Sequence, residues 1–235
     1  MRRALLLMAA ISMVSTAQKS PFNIQSLLQV VRLGEPALSP DGELVAYTAG
    51  TVDINENKQI RHIYVVPVSG GFPRKITNEG TSNERPRWSP DSKQIAYVSN
   101  RDGSSQIWVM NADGSSARQV TRLSTEASGV SWSPDGKHLV FVSEVYPDCT
   151  DDACNKKKLD AEKNSKVKAR VYTSLLYRHW TEWQGNRRKH LFSVPAEGGT
   201  PKDLMTESHF DVPPFSLGGP DDYVISQMGR KSVMR

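Results

Sequence analysis

The sequence predicts an all-β protein: an incomplete β-propeller of about three blades plus the start of a fourth, with four antiparallel strands in each blade. Three observations predict this fold. A Ser-Pro-Asp-Gly or Ser-Pro-Asp-Ser tetrapeptide begins at Ser39, Ser89 and Ser133, so successive repeats start 50 and then 44 residues apart. An apolar or alternating run rich in β-branched and aromatic residues follows each tetrapeptide. The 16 glycines and 14 prolines fall between such runs, which is typical of short strands joined by turns.

Each repeat contains the same order of strands and turns. Proline presets φ, aspartate follows and glycine closes the reversal, so the tetrapeptide is a tight turn between the first two strands. The second strands cover 43–48, 93–99 and 137–143, the third strands 62–66, 106–110 and 190–194, and the outer strands 74–77, 118–121 and 202–205. A partial propeller domain over 18–235 follows, with blades near 34–80, 81–123 and 124–206 and an incomplete blade from 207.

A short amphipathic helix over 24–33 precedes the first blade, with Asn23 as its N-cap. The segment before it, 1–17, is predicted to be a signal peptide. Arg2 and Arg3 form its positive start, an apolar run of residues 4–14 is too short to span a bilayer, and small residues follow. A buried N-terminal helix is the alternative. We expect a periplasmic or secreted protein that does not insert into the membrane after signal cleavage.

The positive charge is concentrated in one segment, 144–189, which interrupts the third repeat. That segment holds 11 Lys and Arg against 7 Asp and Glu, whereas the whole chain has a net charge of +5. One basic insertion does not form a surface that follows a phosphate backbone, so no nucleic-acid partner is expected.

The insertion begins with the two cysteines, Cys149 and Cys154. In an oxidising compartment a disulfide between them is favoured, because zinc requires further ligands and no Cys or His cluster lies nearby. No metal site is predicted.

The second half of the insertion is aromatic and is predicted to form an extended arm, which Gln184-Gly185-Asn186 turns back into the third strand. Long insertions in regular scaffolds are often functional. Two interpretations of the polar and aromatic side chains of the arm remain open. They line a pocket for substrate or a partner interface, or they pack the insertion onto the blade, as aromatic side chains usually do. The residues concerned are Arg178, His179, Trp180 and Trp183.

The fourth repeat begins at residues 211–226, where a Ser-Pro-Asp-Gly turn is due after Ser226. The sequence 227–235 does not supply this turn. As a hypothesis, these residues are translated out of frame, which sequencing of the gene tests.

The repeats resemble the TolB-type variant of the tryptophan–aspartate propeller repeat. The run 174–183, with 190–195 and 211–223, is similar to exported members of the prolyl oligopeptidase family of serine peptidases, of the dipeptidyl peptidase V and acylaminoacyl peptidase kind. The resemblance implies a propeller that covers an α/β-hydrolase domain and restricts the access of peptides to it. The implied partners are therefore peptides or that hydrolase domain. A TolB-like periplasmic protein-binding propeller is the alternative.

No catalytic machinery is evident in these 235 residues. A nucleophile elbow requires Gly-x-Ser-x-Gly, and the nearest match, 129–133, has serine in the last position. The histidines form no His-Glu-x-x-His pair, and the glycines form no nucleotide-binding loop, so no cofactor is expected. The chain is expected to be inactive alone. Three blades also leave sheet faces open, which favours aggregation.

Overall fold

A computed structural model describes residues 21–167, 169–172, 175, 177–216 and 218–226, and the backbone of 232–234. The predicted signal peptide, 1–17, lies outside the described residues. So does most of the hypothetical out-of-frame segment. Within the described part of the chain, no helix is both long enough and apolar enough to cross a membrane.

Three four-stranded antiparallel sheets follow one another along the chain and confirm the predicted fold class. After helix α1 (Ile24–Gln29), the first sheet contains β1 (Arg32–Leu38), β2 (Leu44–Asp53), β3 (Lys58–Pro67) and β4 (Arg74–Lys75). The second contains β5 (Asn83–Trp88), β6 (Gln94–Ser99), β7 (Gln106–Asn111) and β8 (Arg118–Gln119).

The third sheet begins with β9 (Ser128–Trp132) and β10 (His138–Val145). The inserted elements come next: helix α2 (Asp152–Asn164), β11 (Arg178–His179) and β12 (Glu182–Trp183). Strands β13 (Arg188–Pro195) and β14 (Lys202–Asp203) complete the sheet, and β15 (Tyr223–Ile225) pairs with β16 (Ser232–Met234) beyond it.

Two sequence-based boundaries were wrong. Helix α1 has the predicted cap, because Ser26 N–H donates to Asn23 Oδ1 at 2.9 Å. It ends at Gln29 rather than at residue 33, because the first strand already pairs Arg32 with Gly50. The outer strands have two residues instead of four.

A side chain explains the short outer strands of the first two blades. In the first blade the hydroxyl of Thr77 accepts the N–H of Ile63 at 2.9 Å, in place of a backbone carbonyl. In the second blade Thr121 accepts the N–H of Ile107 in the same way, also at 2.9 Å. The ladder therefore ends early without leaving these buried N–H groups unpaired.

The Ser-Pro-Asp turns are built from the same three hydrogen bonds in each blade. In the second blade the Ser89 hydroxyl donates to Asp91 at 2.6 Å, and its oxygen accepts the N–H of the first residue of the following strand at 2.9 Å. Asp91 also accepts the N–H of Lys93 at 3.1 Å. These bonds to the ionised carboxylate lower the pKa of Asp91, the serine contributing most. The same arrangement surrounds Ser39 and Ser133.

Both faces of the second sheet are buried, because alternate residues of its strands contact different blades. Ile95 and Tyr97 belong to the core shared with the first sheet, whereas Ala96 and Val98 belong to the core shared with the third. Strand side chains alternate between faces, so a strand buried on both sides must be apolar throughout. This accounts for the continuous apolar run after the second Ser-Pro-Asp turn.

The far face of the third sheet packs against the start of the fourth blade. Val140 and Val142 share a core with Tyr223, which is buried. The Tyr223 hydroxyl is shared between the carbonyl oxygens of Gly129 and Val140, the latter at 2.7 Å. Burial, and then the negative charge of Asp221, raise the pKa of Tyr223. This contact fixes the segment before β15 against the inner edge of the third blade.

Candidate functional site

The insertion leaves the third blade at the end of β10 and returns at the start of β13. These strands pair continuously from His138–Pro195 to Val145–Arg188, so the excursion covers 146–187. Two residues at each end of the predicted insertion, 144–189, therefore belong to the paired strands. Because its two ends are neighbours in the ladder, the insertion does not disturb the sheet and projects from one end of it.

Helix α2 was not predicted, and its first turn attaches it to the blades. Asp151 is its N-cap and accepts the N–H of Cys154 at 2.7 Å. Asp152 accepts both the N–H and the hydroxyl of Ser124, each at 2.8 Å, which ties the helix to the loop between the second and third blades. Asn155 is buried and accepts the N–H of Tyr146 at 2.9 Å.

The predicted cysteine pair lies at the start of the same helix. In the structure Cys149 and Cys154 are joined, with an S–S distance of 1.99 Å and a Cα–Cα distance of 5.4 Å. Cys149 is buried. The pair links the end of the loop after β10 to the first turn of α2.

A second attachment lies two turns further along α2. The buried Tyr146 donates its hydroxyl to Glu162 at 2.6 Å. Burial, followed by the hydrogen bond to Glu162 and its charge, raises the pKa of Tyr146 to about 12. The ammonium of Lys158 lies 5.2 Å from the centre of the tyrosine ring and also pairs with Asp148. The inward side of the helix is therefore fixed by polar contacts.

The four predicted site residues lie together on one hairpin, formed by β11 and β12. Its reversal falls at Trp180 and not at Gln184-Gly185-Asn186, because β11 and β12 already pair Arg178 with Trp183. Trp183 stacks on Tyr172 at 5.9 Å between ring centres, and the Arg178 guanidinium lies 4.9 Å from the Trp183 ring. His179 contacts Trp180, with 6.4 Å between ring centres.

The hairpin leaves its two tryptophan side chains exposed. Trp180 is 83% exposed and Trp183 is 46% exposed. Contiguous exposed aromatic surface is characteristic of sites that bind another molecule. We call residues 171, 172, 175 and 177–183 the aromatic arm.

A cleft of about 910 Å³ separates the aromatic arm from helix α2. Its wall contains groups of both charges and two tyrosine side chains, among them Tyr146, Glu162, Arg170, Tyr172 and Arg188. A smaller cavity of about 410 Å³ continues past Trp183 toward Asp211. Surfaces with both charges and aromatic rings suit polypeptide ligands, which offer amides, both charges and apolar side chains.

A second group of candidate residues lies where the inner strands of the blades meet. The residue four positions before each Ser-Pro-Asp turn has a positive φ: 55° at Glu35, 58° at Arg85 and 56° at Gly129. Each coincides with a break in the register of the first strand pair of its blade. Such bulges redirect side chains.

The bulges bring the first two blades and the start of the fourth into one charged cluster. Arg85 donates its backbone N–H to Glu35 at 2.7 Å, and its side chain pairs with Glu35 at 3.6 Å. Asp221 Oδ2, from the segment before β15, accepts from Arg85 and also from Arg87 at 3.1 Å. We call Glu35, Arg85, Arg87 and Asp221 the axial cluster.

Sequence reasoning missed the axial cluster, although one signal was available. Aligning the repeats on their Ser-Pro-Asp turns places Glu35, Arg85 and Gly129 at equivalent positions. The first two repeats have a long charged side chain there, whereas the third has a glycine. The insertion projects from the same end of the sheets, because Ser128, the first residue of β9, pairs with Val142, close to the end of β10 from which the insertion leaves.

Comparison with known proteins gives a family and several relatives. A family model described as the TolB beta propeller domain matches residues 18–208. Dipeptidyl-peptidase 5 of Porphyromonas gingivalis is 31% identical over 251 aligned residues, covering 98% of this chain and 34% of that protein. Dipeptidyl-peptidase 5 of Porphyromonas endodontalis is also 31% identical, over 92% of this chain and 30% of its own length.

A solved structure has a similar fold. The acylaminoacyl peptidase of Pyrococcus horikoshii matches with a TM-score of 0.56 at 19% identity, over 76% of this chain and 26% of that one. At this identity the similarity concerns the fold alone. The chain spans about a third of the length of the curated relatives it matches.

Proposed function

This chain belongs to the TolB β-propeller domain family, and we propose that it forms the N-terminal propeller portion of an exported serine peptidase of the prolyl oligopeptidase family. In the complete enzyme the propeller covers an α/β-hydrolase domain and limits which peptides reach it. The peptidase acts near the N-termini of its substrates.

One observation carries this proposal: the identity of 31% to Dipeptidyl-peptidase 5 extends over 98% of the chain. It therefore spans the insertion as well as the repeats. The repeats alone are common to many propellers, whereas the insertion is an elaboration of the third blade. A match to a peptidase along almost the whole chain favours the peptidase over a TolB-like propeller that only binds protein.

The aromatic arm is the part of this chain that we propose meets a peptide or the hydrolase domain. Removing apolar surface from water contributes about 25 cal/mol of favourable free energy for each Å² buried. Burying the exposed rings of Trp180 and Trp183 against a ligand is therefore favourable. Arg178 and His179 flank these rings and supply hydrogen-bond donors at the same edge. The cleft beside the arm is large enough for several peptide residues.

The first test is to sequence the gene beyond codon 235 and to express the complete reading frame. We expect a hydrolase domain with a Ser-Asp-His triad, and release of dipeptides or acylated residues from chromogenic reporters. A reading frame that encodes no hydrolase, or a product that lacks this turnover, contradicts the proposal.

The second test concerns the arm in that complete product. We expect Trp180→Ala or Trp183→Ala to lower kcat/KM on peptides by about tenfold, the effect of losing roughly 1.4 kcal/mol of binding. Phe72→Ala is the matched control, since Phe72 is 96% exposed on the first blade, away from the arm. Equal effects of all three substitutions would show that the arm does not contribute specifically to peptide binding. Recovery of an envelope protein without any peptide turnover would favour the TolB-like alternative.

A further inference from the structure

Two guanidinium groups of the axial cluster converge on a single carboxylate oxygen. Arg85 and Arg87, both on β5, donate to Oδ2 of Asp221. Arginine side chains bind carboxylates best through two parallel bonds to two oxygens. Because both bonds end on one oxygen, Asp221 does not offer the bidentate geometry that either guanidinium prefers.

The charges around this pair leave one arginine dependent on Asp221. Glu35 pairs with Arg85 from the other side. Within the described residues, the ion pair of Arg87 is with Asp221 alone, and its remaining side-chain bond goes to a backbone carbonyl at 3.0 Å. If the Asp221 carboxylate moved away, Glu35 would still balance one of the two arginines, and the cluster would carry one uncompensated positive charge. The carboxylate of a single ligand would neutralise that charge.

The cluster is open to solvent and adjoins a cavity. The side chains of Arg85, Arg87 and Asp221 are 25%, 30% and 37% exposed. A cavity of about 480 Å³ begins at Pro220, next to Asp221. Its lining contains the hydroxyl groups of Ser105, Ser124, Thr125 and Ser128, the cations of Arg187 and Lys189, and the carboxylates of Glu84, Glu126 and Glu144. It offers room and hydrogen-bonding groups for a chain attached to a carboxylate bound at the arginines.

The Asp221 side chain is 37% exposed, so it can rotate away from the arginines while the backbone of its segment stays packed against the third blade. We propose that Arg85 and Arg87 form a binding subsite for a peptide carboxylate, which the chain's own Asp221 fills when no ligand is present. The carboxylate comes from the C-terminus of a peptide or from an Asp or Glu side chain. This inference rests on the proposed function in that a peptide must enter the propeller.

The experiment measures binding of fluorescein-labelled hexapeptides to the full chain by fluorescence anisotropy. The probes are a Gly-Ala repeat with a free C-terminal carboxylate, its C-terminal amide, and two amides with Glu or Gln at the last position. Asp221→Asn removes the internal competitor, so we expect the two anionic peptides to bind about tenfold more tightly to it than to the unmodified chain. The two neutral peptides should not distinguish these proteins. The free acid and the Glu amide separate the two sources of the carboxylate.

Further variants keep the test decisive. Glu197→Gln is the matched control, because it removes an exposed acid that pairs with Arg118 and lies outside both the axial cluster and the lining of this cavity. Adding Arg87→Gln to Asp221→Asn should abolish the gain, and Arg87→Lys, which keeps the charge without the planar fork, should retain only part of it. Thermal melts establish that each variant is folded.

Two outcomes overturn the inference, and they are distinguishable. Equal binding of all four peptides to Asp221→Asn leaves peptide entry intact but removes the carboxylate subsite. Absence of binding by any peptide to any variant removes the subsite and counts equally against the proposed function.

Discussion

Gly129 lies directly against Pro220, so that a Cβ atom at position 129 would overlap the carbonyl oxygen of Pro220. The segment before β15 therefore crosses β9, the inner strand of the third blade, at Gly129, which has no side chain. This crossing carries Asp221 from the fourth blade to the arginines of the second. The glycine of the third repeat leaves room for this crossing, and the charged residues at the equivalent positions of the other two repeats, Glu35 and Arg85, belong to the cluster that Asp221 joins.

Gly129→Ala should destabilise the chain by about 2–5 kcal/mol, since backbone strain at a positive φ adds to the cost of overpacking. Urea unfolding followed by circular dichroism measures this loss. Gly103→Ala is the control, because Gly103 has a φ of 105° but open space around it, and should cost only about 1–2 kcal/mol. Equal losses at both sites would mean that the crossing does not constrain position 129.

The repeats could be predicted from sequence because their information is local. Each Ser-Pro-Asp turn closes hydrogen bonds within six residues, and each strand has its own apolar pattern. Helix α2 escaped prediction because its Lys-rich sequence has no apolar face, and the contacts that fix it involve the polar residues Asp151 and Asn155. The bond between Arg85 and Asp221 joins residues 136 positions apart, which no local pattern encodes.

Ser92 replaces the glycine of the second Ser-Pro-Asp turn and keeps a φ of 62°. Its hydroxyl oxygen accepts the N–H of Asp41, in the turn of the first blade, at 3.0 Å. Ser92→Gly removes about 1 kcal/mol of strain and a hydrogen bond worth about 1 kcal/mol, so we expect little net change in unfolding free energy. Ser92→Ala keeps the strain and loses the bond, and should destabilise by about 1 kcal/mol. A stabilised alanine variant would contradict this account.

Tyr146 should ionise at a lower pH when its acceptor is removed. Glu162→Gln eliminates the charge that opposes phenolate formation, so the pKa of Tyr146 should fall from about 12 toward 10 but stay above it, because burial is the larger cause. Absorbance at 295 nm, with Tyr146→Phe subtracted, isolates this titration. Asp160→Asn is the control, as Asp160 pairs with Lys156 on the outer side of the same helix. An unchanged titration in Glu162→Gln would show that the bond is absent in solution.

His190 should make the stability of the chain fall as pH rises. The histidine is buried, and burial opposes its charge, but the hydrogen bond and charge of Asp203 at 2.8 Å and the carbonyl of Ser208 at 3.0 Å together raise its pKa. A raised pKa means that the contribution is complete below the unfolded value near 6.5 and is lost as pH rises through the folded value. Urea unfolding between pH 5 and 9 should show this loss, and His190→Gln should remove the slope.

His62 provides a control of opposite sign for the same measurement. Burial, and then the charge of Lys75, lower its pKa, so the folded chain favours the neutral ring. Its contribution to the unfolding free energy should therefore weaken as pH falls below about 6.5. His62→Gln should remove only this acid part of the pH dependence of stability. If His62→Gln and His190→Gln changed the unfolding free energy over the same pH range, the loss of stability at alkaline pH could not be assigned to the His190–Asp203 pair.

The Cys149–Cys154 link should stabilise the start of α2 more than the blades. Closing so short a loop restricts the unfolded chain by about 2 kcal/mol, so the double substitution to serine should lower the unfolding free energy by about that amount. Hydrogen exchange should accelerate in 152–164 while the strands of the second blade stay protected, because that blade has its own buried core. Dithiothreitol should reproduce both effects in the unmodified chain and neither in the serine variant. Faster exchange throughout the blades would instead mean that the insertion and the propeller unfold as one unit.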